Sequence, residues 1–238
     1  MYGWRARIGL LIPSTNTTME VDFYRMAPEG VSVHTARLKT EREGTIETLL
    51  KMEETAEEAA ESLATAKVDV IVFGCTSGSF IKGPEWNKKI IERLESITKI
   101  PVVTTAQAMI EALKEMGIQK ISLTTPYVEV TNKSLISFLE SYDFKVLDLK
   151  TFDMLDMFDH AKIEPSEIYC LAKKSDKPEA DGIFIACTQL RAIDIIETLE
   201  KDIKKPVVTA IQASMWLALK VLKVSMEREG FGKLMRRL

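Results

Sequence analysis

The sequence predicts an α/β protein made of two similar Rossmann-like lobes with parallel sheets. A pseudo-two-fold axis relates the lobes, and the active site is expected in the cleft between them. Three observations carry this. Short Val- and Ile-rich runs alternate with longer amphipathic stretches, the pattern of parallel strands covered by helices on both faces. The chain repeats its own motifs in order. Its 238 residues, 46% of them apolar, are enough to bury a sizeable core without disulfides.

Residues 7–12 read as the first strand, and VSVHTARL, which holds His34, as a surface strand. Residues 45–67 read as a helix, with early acidic residues and Lys67 at its end to suit the helix dipole. The acidic run from Glu53 to Glu61 is its solvated face. A strand follows at 68–73 and a helix at 84–98, with Pro84 at its start. Then come a strand at 101–104, a helix at 106–116 stopped by Gly117, and a strand at 120–124. The second half reads helix 130–142, strand 145–150, helix 165–175, strand 182–186, helix 193–201, strand 206–209 and helix 212–221. Trp216, on the last of these, is assigned to core or cleft wall.

The repeat is explicit in the letters. IPVVTTAQAMIEALK from Ile100 matches KPVVTAIQASMWLALK from Lys205. VIVFGCTSG around Cys75 matches GIFIACTQL around Cys187, and IGLLIPSTN from Ile8 matches ISLTTPYVE from Ile121. The offsets all fall at roughly 105–113 residues, as two copies of one unit require. Residues 1–117 together with about 206–238 are assigned to the first lobe and 118–205 to the second, with exchange of the last helix allowed for.

Composition narrows the function classes. A net charge of −3 leaves no basic excess for phosphate backbones, so nucleic acid is not an expected partner. No apolar run approaches the ~20 residues of a membrane span, and a cytoplasmic protein is expected. Two histidines and three widely spaced cysteines do not describe a metal centre or a disulfide framework. Glycine-rich nucleotide motifs are absent, which argues against the commonest nucleotide-binding versions of this architecture and against a nicotinamide oxidoreductase in particular.

Cys75 and Cys187 are the central pair. Each directly follows an apolar strand and precedes a threonine, and ligands of parallel α/β sheets bind beyond the carboxyl ends of strands. Two opposed thiols suit proton transfer at carbon, one as thiolate and one as thiol. The hydroxyl-rich loops after them, with Thr76 and Ser77 on one side and Thr188 and Gln189 on the other, can cap helices or hold a carboxylate. In PSTNTT, Ser14 and Asn16 join the candidate set, Asn16 as an N-cap or as an amide donor. Tyr127, in the repeat partner TPYVEV, is either a phenolic donor or cleft-edge packing. Cys170, mid-helix, is read as packing, and His34 as structural. The Met-rich TFDMLDMFDHAKIEP, with His160, is either a cover over the cleft or a plain connection.

GLLIPSTNTTME, VFGCTSGSF, LTTPY, FIACTQL and PVVTAIQASMW resemble the aspartate/glutamate racemase superfamily. The likeness runs from Ile8 to about Leu222 and is strongest to the branch of maleate cis–trans isomerases and arylmalonate decarboxylases. It implies a cofactor-independent isomerase of a small dicarboxylate, maleate to fumarate, acting as a homodimer. Cys75 would form a covalent adduct, and Cys187 would be the acid/base partner. Asn16, Tyr127 and the donors beside both cysteines would hold the carboxylates. Decarboxylases of the branch have glycine at the place of Cys75, so both thiols point to the isomerases. One departure is plain: isomerases carry a further asparagine before the helix at Pro165, and residues 150–165 contain none. The alternatives are a two-cysteine racemase of an amino or hydroxy acid, an arylmalonate-type decarboxylase and, from another class, a small-anion binding protein without turnover.

Overall fold

The structure, a computed structural model, describes residues 1–225 and 229–238. Residues 226–228, part of the 206–238 stretch assigned to the first lobe, lie outside the described residues. The strands are β1 (Ala6–Pro13), β2 (Val31–Leu38), β3 (Val70–Phe73), β4 (Val102–Thr104), β5 (Lys120–Thr125), β6 (Lys145–Thr151), β7 (Gly182–Ile185) and β8 (Val207–Thr209). They form two four-stranded sheets, ordered β2-β1-β3-β4 and β6-β5-β7-β8, with every pairing parallel. The two orders are one topology written twice, as the sequence repeat requires.

The helices are α1 (Met19–Met26), α2 (Ile46–Glu53), α3 (Ala56–Thr65), α4 (Thr76–Phe80), α5 (Pro84–Thr98), α6 (Thr105–Glu115), α7 (Glu129–Glu140), α8 (Pro165–Ser175), α9 (Ile196–Ile203), α10 (Ala210–Val221) and α11 (Gly232–Met235). The helix expected over 45–67 is two. It breaks at Glu54 and Thr55, where the Thr55 hydroxyl bonds back to the Met52 carbonyl at 2.8 Å. The break lets α2 pack on α4 while α3 turns Ala56, Ala60 and Leu63 toward β1 and β2. Glu53 is not on a solvated face as expected; it is buried and paired with Arg93 on α5.

The repeated Pro-Val-Val-Thr motif has a physical meaning. Two valines make a short buried strand, and the threonine then caps the next helix. Thr104 Oγ1 accepts the Gln107 N–H at 3.0 Å, and Thr209 Oγ1 accepts that of Gln212 at 3.2 Å. The two helices so started, α6 and α10, pack on each other, with Ser214 Oγ donating to Thr105 Oγ1 at 3.1 Å. Helix α10 also touches β3, β4 and β8, so this pair is a layer shared by both sheets. The boundary drawn at 206 needs correction: β8 pairs with β7 in the second sheet, α10 touches both sheets, and α11 packs on α9 and β8 of the second. Backbone pairing decides this, and Val-Val-Thr reads the same in either sheet.

Trp216 is wholly buried and does not line the cleft, so it is core. Cys170 is exposed, against the packing expected of it. Helix α8 buries Ile168, Ala172 and Ser175, a stripe that leaves Cys170 on the other side. Among the described residues, no helix is long and apolar enough to cross a membrane. Since Trp216 is the largest fully buried side chain and sits in the shared layer, Trp216→Ala is expected to cost about 3–5 kcal/mol. A urea-unfolding midpoint displaced by much less would show that the α6–α10 layer is not the common core.

Candidate active site

A cleft opens where the carboxyl ends of the two sheets meet. Cys75 and Cys187 both line it. Cys75 leaves β3 and caps α4, its Sγ accepting the Gly78 N–H at 3.4 Å. Gly78 leaves room for this contact, since a Cβ there would stand 3.0 Å from Met52 Cε and 3.1 Å from that sulfur and one of them would have to shift. Ser77 Oγ lies 3.9 Å from the same sulfur. The loop is anchored by Ser79, whose hydroxyl bonds the Cys75 and Thr76 carbonyls and accepts the Ala106 N–H. Burial pushes the Cys75 thiol up, and the Gly78 and Ser77 contacts oppose it.

Cys187 leaves β7 with φ at 107°, a conformation L-residues rarely adopt. Its Sγ accepts the Gln189 N–H at 3.4 Å and lies 3.7 Å from His160 Nδ1. Burial pushes this thiol up to about 12. Tyr127 reaches in from the end of β5, packed edge-on against Phe80 and His160. Its pKa stands well above the usual phenol value, through burial first and then the neighbouring Cys187 and Cys75. The Tyr127 hydroxyl and Thr76 Oγ1 are buried near each other, with the Cys187 sulfur next to the phenol, and neither oxygen makes a close hydrogen bond among the described residues. With the N–H groups of Thr76 and Ser77, which open α4 and have no intrahelical acceptor, they present donors to the cleft.

The other candidates divide. Asn16 lines the cleft, but its amide is engaged: Nδ2 donates to the Thr188 carbonyl at 3.0 Å and to Thr188 Oγ1 at 3.3 Å. Its Oδ1 accepts the Thr18 and Met19 N–H groups, which starts α1. Gln189 also bridges the lobes, donating from Nε2 to the Thr15 carbonyl and accepting the Thr17 N–H at Oε1. Thr188 Oγ1 donates to the Gly74 carbonyl at 3.1 Å. These three clasp the lobes together, a role the single sequence could not display. Ser14 is outside the cleft lining; it is exposed, and its Oγ accepts the Thr40 N–H. The chain turns at Pro13 and carries Ser14 to the outer side.

His160, Met154, Leu155 and Met157, not among the candidate site residues though their segment is read as either a cover or a connection, all line the cleft. They belong to the Met-rich segment, which does cover the site. It is joined to the first lobe by Gly44 N–H to the Leu155 carbonyl at 2.9 Å and Met157 N–H to the Arg42 carbonyl at 2.7 Å. Arg42 pairs with Asp156 on the same strap. Its composition was the available signal, but the partner loop lies over a hundred residues away (~110).

The fold and site define a class: two-lobed α/β proteins with a strand-end cysteine at the equivalent point of each lobe. Residues 8–235 match the family model described as arylmalonate decarboxylase, and the chain belongs to that family. A maleate isomerase of Pseudomonas putida is 28% identical over 96% of both chains. An arylmalonate decarboxylase of Bordetella bronchiseptica is 25% identical over 67% of this chain and 68% of its own. The crystal structure of a maleate isomerase cysteine-to-alanine variant from Pseudomonas putida S16 with maleate superposes with a TM-score of 0.92. It is 25% identical and covers 97% of each chain.

Two outcomes follow from this geometry. Asn16→Ala removes both bonds to Thr188 and leaves the Thr18 and Met19 N–H groups unpaired, so a loss of about 1–3 kcal/mol is expected in chemical denaturation. At Cys187, strain of about 1–3 kcal/mol is relieved by glycine but not by alanine. Cys187→Gly is therefore expected to melt no lower than Cys187→Ala, and a clearly lower melting temperature for the glycine variant would refute the strain.

Proposed function

We propose that this protein is a maleate isomerase that converts maleate to fumarate through a covalent adduct on Cys75. The observation that carries the reading is the pair of buried thiols on one cleft, each beside donors suited to a carboxylate. Relatives named maleate isomerase match over nearly the whole chain, whereas the arylmalonate decarboxylase relative matches over two thirds of it.

On this reading the Cys75 thiolate attacks one alkene carbon of maleate. The electron pair pushed onto the adjacent carbon takes the proton of the Cys187 thiol, giving an S-succinyl adduct. Rotation about the new single bond brings the carboxylates trans. The Cys187 thiolate then removes the proton from that carbon, the double bond re-forms, and the pair of the S–C bond returns to Cys75. Thr76, Ser77 and Tyr127 receive one carboxylate, where negative charge develops in the carbanion-like state. Asn16, Thr188 and Gln189 shape the other end by fixing the Cys187 loop against the first lobe. The two thiols supply nucleophile and acid, so the chemistry calls for no cofactor. Three unpaired thiols, one exposed, suit the reducing cytoplasm. A homodimer is part of the same reading, and exposed Val21 and Tyr24 on α1 offer an apolar face to a second copy.

Proton NMR of the purified protein with maleate in D2O, without added cofactor, is the test. Fumarate is expected to appear, and Cys75→Ser is expected to lower turnover by several orders of magnitude. Full turnover by Cys75→Ser would exclude the covalent route. If maleate stays intact, aspartate, glutamate and arylmalonates in the same tube separate racemisation, seen as α-carbon deuteration, from loss of carbon dioxide.

A further inference from the structure

We propose that His160 holds Cys187 as a protonated thiol, accepting its S–H at Nδ1. This divides the labour of the two cysteines: Cys187 is the proton donor and Cys75 the nucleophile. The inference rests on the two-thiol reading above and adds a positioning residue to it.

The geometry determines the direction of the proton. His160 Nε2 lies 3.0 Å from the Met154 carbonyl oxygen, which can only accept, so Nε2 carries a hydrogen. In the neutral ring Nδ1 is then a bare acceptor, and it faces Cys187 Sγ at 3.7 Å. The hydrogen on that contact belongs to sulfur. A hydrogen bond made by the neutral form favours the thiol over the thiolate. Cys75 is set the other way: the Gly78 N–H donates to its sulfur and the Ser77 hydroxyl is placed to do so, which favours the thiolate. Cys187 is also met by donors, the Gln189 and Leu190 N–H groups and the Tyr127 hydroxyl, but it alone has a ring nitrogen placed to accept its S–H.

The surroundings support a neutral pair. Burial lowers the basicity of His160 and raises the Cys187 thiol, so an imidazolium–thiolate pair is disfavoured on both sides. The charges that would favour imidazolium are those of Asp156 and Asp159. Arg42 pairs with Asp156 and lies 4.0 Å from Asp159, which Lys162 also pairs. The remaining titratable neighbours are Tyr127, whose ring centroid is 6.1 Å from that of His160 and whose hydroxyl faces the Cys187 sulfur, and Cys75 on the same cleft. During turnover the S–H proton swings from Nδ1 to the substrate carbon. The thiolate left facing a bare nitrogen lone pair is a poor resting state, so sulfur recovers the proton as the double bond re-forms.

Two measurements test this without relying on maleate turnover, so either reading can fail alone. The first is nitrogen NMR of the ring nitrogens in histidine-labelled protein near neutral pH, with His34→Gln assigning the two rings. His160 is expected as the Nε2–H tautomer; protonation at Nδ1, alone or with Nε2, overturns the proposal. The second is iodoacetamide alkylation across neutral to alkaline pH, counted on each cysteine peptide by mass spectrometry. His160→Gln, or His160→Asn if the first folds poorly, replaces the acceptor with an amide that can donate. Cys187 alkylation is then expected to speed up about tenfold at a fixed pH, with exposed Cys170 unchanged as the internal standard. Slower or unchanged alkylation of Cys187 overturns the proposal, since a histidine acting as its base would lose that function in the variant.

Discussion

The lobes meet through a buried hydrogen-bonded clasp, and the site depends on it. Asn16, Thr17 and Thr18 of the first lobe interlock with Thr188 and Gln189 of the second, and Thr188 reaches on to Gly74, next to Cys75. Each bond is modest in net energy, but a buried amide left unpaired is costly, so the contacts form together or not at all. One residue each side of the clasp carries a cysteine. The register of the two thiols is thus set by these polar contacts acting together with the apolar α6–α10 layer that both sheets share.

The same clasp explains why the Cys187 backbone can stay strained. A φ of 107° persists only where surrounding contacts over-determine it, and here the next two residues are held from the opposite lobe. The strain aims the sulfur into the cleft beside His160. Over this arrangement lies the strap of Met154, Leu155 and Met157, bound to the loop around Gly44 by backbone hydrogen bonds and by Arg42. Its apolar side chains wall the cleft beside the thiols, and a low-dielectric wall strengthens the dipoles that face the cleft. No lysine or arginine is among the described residues lining the cleft, so on the proposed reading a carboxylate would be held by neutral donors.

The strands, the long helices, the duplicated topology and the two strand-end cysteines were all legible in the sequence. Each rests on local physics: valine runs for buried parallel strands, threonine for helix starts, a repeated motif for a repeated unit. The sequence by itself determined which residue types lie at the carboxyl ends of the sheets, because strand direction and the alternation with helices leave little choice. Only the tertiary structure decided what those residues do there. Asn16 and Gln189 have donors that could hold an anion, yet their partners lie about 170 residues away and take them for the clasp. Ser14 turns outward, β8 joins the second sheet, and His160 comes from a connection to the sulfur of Cys187. Hydrogen-bond partners and sheet membership are long-range choices, and one chain's letters record the groups available for them but not the pairs they form.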